Sequence, residues 1–193
     1  MKTVVLSIFI SFSYSVYSQV PPVSQQIAAA VQAGPADLHA GAMVYGYDGN
    51  GNLIVLRKGT NELICLADNP KKKGFEVDCY HKDLEPFMAR SRELRAEGKN
   101  NAEIFKIKED EVKSGKLKMP AAGAALHVLS GADARYNPET GKVENAHYRY
   151  VVYMPFATQE STGLPLKPVT NGGPWLMNPG THRAHIMIST PRN

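Results

Sequence analysis

Six histidines, one tryptophan and a Glu-Ser pair in a glycine- and proline-rich stretch are the side chains best suited to chemistry. His81 follows the alternating run Phe75-Glu76-Val77-Asp78-Cys79 and precedes Asp83 and Glu85, at the junction of a strand and a helix. An imidazole that is neutral near pH 7 serves as general acid or base, and a neighbouring carboxylate can fix its tautomer. The plainer reading makes Asp83 a helix cap and His81 an exposed loop residue. His185 opens the apolar run Ile186-Met187-Ile188. A buried ring there must find a partner, so a satisfied core histidine competes with a functional one. Glu160 and Ser161 could meet His81 or His185 in a pocket and supply the base, nucleophile and orienter of acyl transfer. No GxSxG elbow surrounds Ser161. Trp175 stands among Gly172, Gly173 and Pro174, and either pins its loop to the core or offers a ligand a stacking face. The catalytic candidates are therefore His81, Glu160, Ser161 and His185, and the ligand-binding candidates His81, Trp175 and His185.

Other chemistries have weaker claims. His182 and His185 are three apart, a metal-ligand spacing on a helix, but at a strand entry they point to opposite faces. With no HExxH and no spare cysteine, no metal and no cofactor are expected. The remaining histidines, His39, His127 and His147, have no ligand spacing. Lys71-Lys72-Lys73, with Lys116 and Lys118, raises nucleic-acid binding. The triplet is a turn tip, and a net charge of +4 is too small for a basic face. Gly49, Gly51 and Gly59 are hairpin glycines outside the strand–loop–helix context of a phosphate loop.

The elements that must position these residues follow from periodicity. Met43 to Tyr47 and Leu53 to Leu56 flank Asp48-Gly49-Asn50-Gly51, the clearest hairpin. Turns at Lys58 to Asn61 and Asp68 to Gly74 lead to strands at Leu63 to Leu66 and Phe75 to Tyr80. Four successive strands with short turns predict an antiparallel meander. The period then changes. Leu84, Phe87, Met88 and Leu94 mark a helix from Asp83 to Gly98, and a second runs from Asn101 to Lys113 with a less regular stripe. The two helices are expected to pair antiparallel and cover the sheet. Strands follow at Leu126 to Leu129, His147 to Met154 and His185 to Ile188. Thr158 to Pro179 is irregular, and a loop that long is functional or disordered. The fold class is α+β, an antiparallel sheet covered by an antiparallel helix pair.

The start of the chain speaks to its address. Lys2 precedes the uncharged, largely apolar stretch Val4 to Tyr17, and Val16-Tyr17-Ser18 resembles a cleavage site. Residues 1–18 read as a secretory signal peptide, too short to be a convincing span. Residues 19–41 read as a leader with a short helix, either on the surface or mobile, and 42–193 as one α+β domain. An apolar share of 43% and a charged share of 21% exclude wholesale disorder, collagen and coiled coil. Outside the leader no apolar run approaches the ~20 residues of a membrane helix.

Cys65 and Cys79 fit that address. A pair beyond the cytoplasmic membrane usually oxidises. Leu63 and Cys65 share one strand face, and Phe75, Val77 and Cys79 another. If the strands pair antiparallel, the cysteines can oppose each other, closing a loop of about 15 residues worth on the order of 3 kcal/mol. Two buried free thiols are the alternative, and with no CxxC motif redox chemistry is not indicated.

Three stretches carry a resemblance: Gly59-Thr60-Asn61 with Cys65 and Cys79; Tyr80-His81-Lys82-Asp83-Leu84-Glu85-Pro86-Phe87-Met88; and Pro174-Trp175-Leu176-Met177 with Ala184-His185-Ile186-Met187-Ile188. Over about residues 42 to 188 the chain resembles an uncharacterised family of small exported bacterial proteins. The resemblance implies bacterial origin and export, and carries no catalytic residues. The sequence thus points to a periplasmic or secreted, disulfide-bonded module that binds a small molecule or envelope component. The contacting surface is expected at the 158–182 loop and the His81 junction. No nucleic acid and no membrane-spanning segment after signal removal are expected. The alternative is an envelope hydrolase using His81 or His185 with Glu160 or Ser161.

Overall fold

The computed structural model describes residues 20–120 and 122–190. The expected signal peptide lies outside the described residues. From its N-terminus the described chain forms α1 (Val23–Ala30), β1 (Met43–Tyr47), β2 (Leu53–Arg57), β3 (Leu63–Leu66) and β4 (Phe75–His81). Next come α2 (Glu85–Ala96), α3 (Asn101–Lys113), β5 (Ala124–Gly131), the hairpin β6 (Arg135–Asn137) and β7 (Lys142–Glu144), and β8 (His147–Tyr153). A single turn α4 (Gln159–Thr162), β9 (Trp175–Met177) and β10 (His185–Ser189) close it. Among the described residues, eight strands form one mostly antiparallel sheet in the order β2-β1-β3-β4-β5-β8-β10-β9. The class is α+β.

The expected meander is broken at one step. β1 and β2 form the hairpin, but β3 crosses to the other side of β1 and pairs with it parallel. The Lys58–Asn61 segment is not a hairpin turn. Thr60 and Asn61 donate their backbone N–H groups to Gly41 O, at 2.7 and 3.2 Å, which carries the chain past the start of β1. A Cβ on Gly59 would lie 2.8 Å from the Met43 backbone nitrogen, so only glycine passes there.

Strand alternation sorts the side chains into two cores. Val44, Cys65, Val77, Cys79 and Leu129 point to one face and pack against Ala30, Val31 and Ala33. Ile64, Tyr80, Val151 and Tyr153 point to the other and pack against Leu84 and Phe87 of the helix-pair region. Cys65 and Cys79 are register partners across β3 and β4, with Cα atoms 4.0 Å apart, and they are disulfide-bonded.

The N-terminal segment is part of the first core rather than a mobile leader. Gln26 is buried, accepts from Tyr47 N at 2.8 Å and donates to Tyr47 O at 3.0 Å, so its amide imitates a strand partner for β1. Gln32 accepts from Val143 N at 2.9 Å, and the Tyr148 hydroxyl donates to Gln32 O at 2.8 Å. Gly34 passes over the disulfide so closely that a Cβ there would lie 3.2 Å from Cys79 Cβ.

On the other face α2 and α3 run antiparallel, joined by Arg90, whose guanidinium donates to both Glu111 oxygens at 2.9 to 3.1 Å. Asn100 opens α3 with a capping box completed by Glu103. Asp83 does not cap α2. A 3-10 turn over Lys82–Leu84 precedes that helix, and His81 caps the turn by accepting from Asp83 N at 3.3 Å.

Candidate functional site

The helix pair covers only part of its sheet face. Beyond it, β3, β4, β5 and β8 present Leu66, Asp78, Val128 and Arg149 in one register row. Glu76, Ser130 and His147 form the next row. Two clefts lie along this surface, one of about 960 Å³ over the open sheet and one of about 420 Å³ against α2 and α3. Both are lined by Leu66, Lys72, Glu76 and Asp78, so they join above Asp78.

Asp78 is the centre of this surface. It is half-buried with its oxygens open to the cleft, and among the described residues its carboxylate has no hydrogen-bond or ion-pair partner. Desolvation, reinforced by Glu76, pushes its carboxyl up to about 7, against the weaker opposing pull of Arg92, Lys72 and Arg149. A carboxylic acid that titrates near neutrality in a cleft is a functional-site marker. Glu76 is better compensated, with Arg149 Nη2 at 3.4 Å.

A polar network closes the border with α2. The Tyr80 hydroxyl donates to Glu85 Oε2 at 2.5 Å, and that of Tyr45 to Glu85 Oε1 at 3.2 Å. Arg92 bonds Glu85 Oε1 at 2.6 Å and Tyr80 Oη at 3.1 Å, and its guanidinium lies 5.1 Å from the Tyr45 ring centroid. Burial first, and the adjacent Glu85, raise the Tyr45 and Tyr80 phenols above their ordinary value, so both stay protonated donors.

The smaller cleft runs inward to Lys108 and His182. Lys108 is 3% exposed and donates to Phe87 O at 2.8 Å and to Ser91 Oγ. Its ammonium also sits 3.0 Å from the Phe87 ring centroid. Desolvation, then the positive charges of Arg183 and Arg95, push it down to about 6. His182 is 1% exposed and lies edge-on to Phe87 and Phe105, with centroids 5.8 and 4.8 Å away. Its Nδ1 is buried without a hydrogen-bond partner, and burial holds the ring neutral with its pKa down to about 4.

The residues singled out by sequence are placed elsewhere and apart. His81 alternates in phase with Val77 and Cys79, toward the α1 side, and is half-exposed beside Asp83 at 3.5 Å. His185 is paired with Tyr153 and shares its opposite, helix-pair face. It is 4% exposed, with Nδ1 2.7 Å from Arg183 O and its ring 5.4 Å from that of Tyr153. Burial lowers its pKa. β4 and β10 are three strand spacings apart, about 14 Å. Glu160 and Ser161 lie exposed on α4, where the Ser161 hydroxyl completes a capping box with Thr158. The structure does not bring His81, His185, Glu160 and Ser161 into one constellation.

Trp175 is half-buried on the edge strand β9 opposite Met187, so part of the expected long loop is ordered as α4 and β9. Among the described residues, no group of three or more His, Cys, Asp or Glu side chains could hold a metal ion. No helix among them is long and apolar enough to cross a membrane.

Sequence reasoning missed Asp78, Lys108 and the role of His182. One signal was present: Lys108 stands four residues after Ile104 and four before Val112, inside the apolar stripe of α3. No family model, no curated protein and no solved structure matches the chain.

Proposed function

We propose that this is an exported, disulfide-bonded binding protein of the small exported bacterial family its motifs resemble. Its ligand, a small polar molecule, occupies the joined clefts over Asp78. The observation that carries this reading is the Asp78 carboxyl itself, set at the confluence of two clefts with no partner among the described residues. Holding the charged form of this half-buried acid partly out of water carries a cost. A ligand hydrogen-bonded to it recovers that cost, because the neutral carboxyl donates one bond and accepts others. Tyr80 and Tyr45, held protonated by burial and by Glu85, fix the border of the same space. The Cys65–Cys79 bond and the Lys2 to Ser18 pattern support an address beyond the cytoplasmic membrane. The hydrolase alternative draws no support from the separated His81, His185 and α4 positions.

The test is thermal-shift measurement on the oxidised chain with amino acids, dicarboxylates, monosaccharides and phosphorylated sugars as probes. The reading expects at least one class to raise the melting temperature, and Asp78→Asn to abolish that rise while remaining folded. An inert panel, or a rise that Asp78→Asn leaves intact, contradicts it.

A further inference from the structure

The inner end of the smaller cleft gathers three basic side chains that the fold does not pair with acids among the described residues. Lys108 comes from α3, Arg95 from α2 and Arg183 from the segment before β10, and all three line the cleft together with His182. Among the described residues none of the three cations forms an ion pair. The nearby carboxylates are paired with other cations, although Glu111 still acts on Lys108 and Glu109 on His182. Glu111 is held by Arg90 at 2.9 Å, Glu109 by Lys113 at 2.9 Å, and Glu85 by Arg92 at 2.6 Å. Asp78 lies toward the other end, where the cations acting on it are Arg92, Lys72 and Arg149. A buried polar atom without a partner points independently to the same place. His182 Nδ1 is enclosed and unpaired in a wall of this cleft.

We propose that this inner end is a phosphate site, for free phosphate or the phosphate of a small phosphomonoester. Arg95 and Arg183 contact its oxygens from the mouth, Lys108 exchanges its bond to Ser91 Oγ for one to the anion from the floor, and His182 Nδ1–H donates to it. A dianion is favoured because a single carboxylate, clamped by one arginine, leaves two of the three cations uncompensated. The site explains why an ammonium is kept at an apolar-stripe position where methionine would pack without desolvation cost. Desolvation, then repulsion from Arg183 and Arg95, pushes Lys108 down in the free protein, and a dianion paired with the ammonium opposes both, so binding near pH 7.5 takes up a proton. This deepens the cleft reading and rests on it for access, but uses different side chains.

Isothermal titration calorimetry of the oxidised chain with inorganic phosphate, glycerol phosphate and succinate tests the site. Both phosphates are expected to bind, with proton uptake seen as buffer-dependent heat at pH 7.5. Tighter binding of glycerol phosphate than of inorganic phosphate identifies the monoester as the ligand form, and the reverse identifies the free anion. Lys108→Met and the exposed Arg95→Gln are each expected to weaken binding at least about tenfold. Lys106→Gln, on the exposed side of α3 outside the cleft lining, is expected to leave inorganic phosphate binding within about twofold. Melting temperatures of Lys108→Met at or above wild type exclude unfolding as the cause. Absence of phosphate binding, preference for succinate, or binding unchanged in Lys108→Met and Arg95→Gln overturns the site. Phosphate failure with an Asp78-dependent thermal shift for another solute removes this proposal alone. Phosphate binding with a panel otherwise inert in the thermal-shift test removes the Asp78 reading alone.

Discussion

Asp78 and Cys79 are chain neighbours on β4 that face opposite sides of the sheet. Cys79 is bonded to Cys65 beneath the N-terminal segment, while Asp78 lines the cleft on the helix-pair side. The covalent staple therefore fixes the strand from behind while the acid is presented in front. Replacing both cysteines by alanine is expected to cost about 3 kcal/mol, the chain-entropy value for a closed loop of this size. Urea denaturation of the oxidised protein and the double variant measures it. An unchanged midpoint would show that the bond contributes nothing to the fold.

Asp78 sets a pH dependence. Its carboxyl titrates higher in the folded chain than in the unfolded one, so the folded state holds the proton more tightly. Its favourable contribution is full below the unfolded value near 4 and is lost as pH rises through about 7. Asp78→Asn should therefore stabilise the protein at pH 8 and leave it nearly unchanged at pH 4. Melting curves at the two pH values decide this, and a larger gain at pH 4 would contradict it.

Lys108 has the opposite sign. Its folded pKa is depressed to about 6, so the unfolded chain binds the proton more tightly between pH 6 and about 10. The penalty for burying the ammonium is largest below pH 6 and fades as pH rises toward 10. The stability gained by Lys108→Met should follow that course. A gain independent of pH would place the ammonium in contact with water.

Much of the scaffold was legible because it rests on local signals. Asp48 to Gly51 marks a hairpin, Asn101 a helix start one residue past the true cap Asn100, and the faces of Cys65 and Cys79 a cross-strand bond. The parallel pairing of β1 with β3 was not legible, since Lys58 to Asn61 reads like any tight turn. Its direction depends on Thr60 and Asn61 reaching Gly41, a contact with no local signature. The docking of α1 escaped for a similar reason. Gln26 and Gln32 look like surface residues until they meet the β1 edge and Val143. Asp78 reads as the polar half of an alternating strand, and becomes a site only because the helix pair stops short of it.

The N-terminal contacts give a direct prediction. Gln26→Ala leaves the Tyr47 N–H and C=O without their partner in a half-buried position. The expected loss is about 1 to 3 kcal/mol. Faster amide exchange at Tyr47 should accompany it, and unchanged exchange would mean that water replaces the glutamine without cost.

His185 separates stability from binding. Its ring is buried against Tyr153 and held by Arg183 O, away from the acid at the cleft junction. His185→Ala is expected to lower the melting temperature more than it alters any ligand-induced shift. Lost binding at an unchanged melting temperature would assign His185 to the ligand instead.

Asp78 is a half-buried acid at the junction of two clefts, without a partner among the described residues, and its titration decides whether it is tuned for a ligand. Carbon-detected NMR titration of the Asp78 side-chain carboxyl in the oxidised protein tests it most directly. The account predicts a midpoint close to 7 in the free protein. A midpoint near 4, the ordinary value for a solvated aspartate, would contradict it.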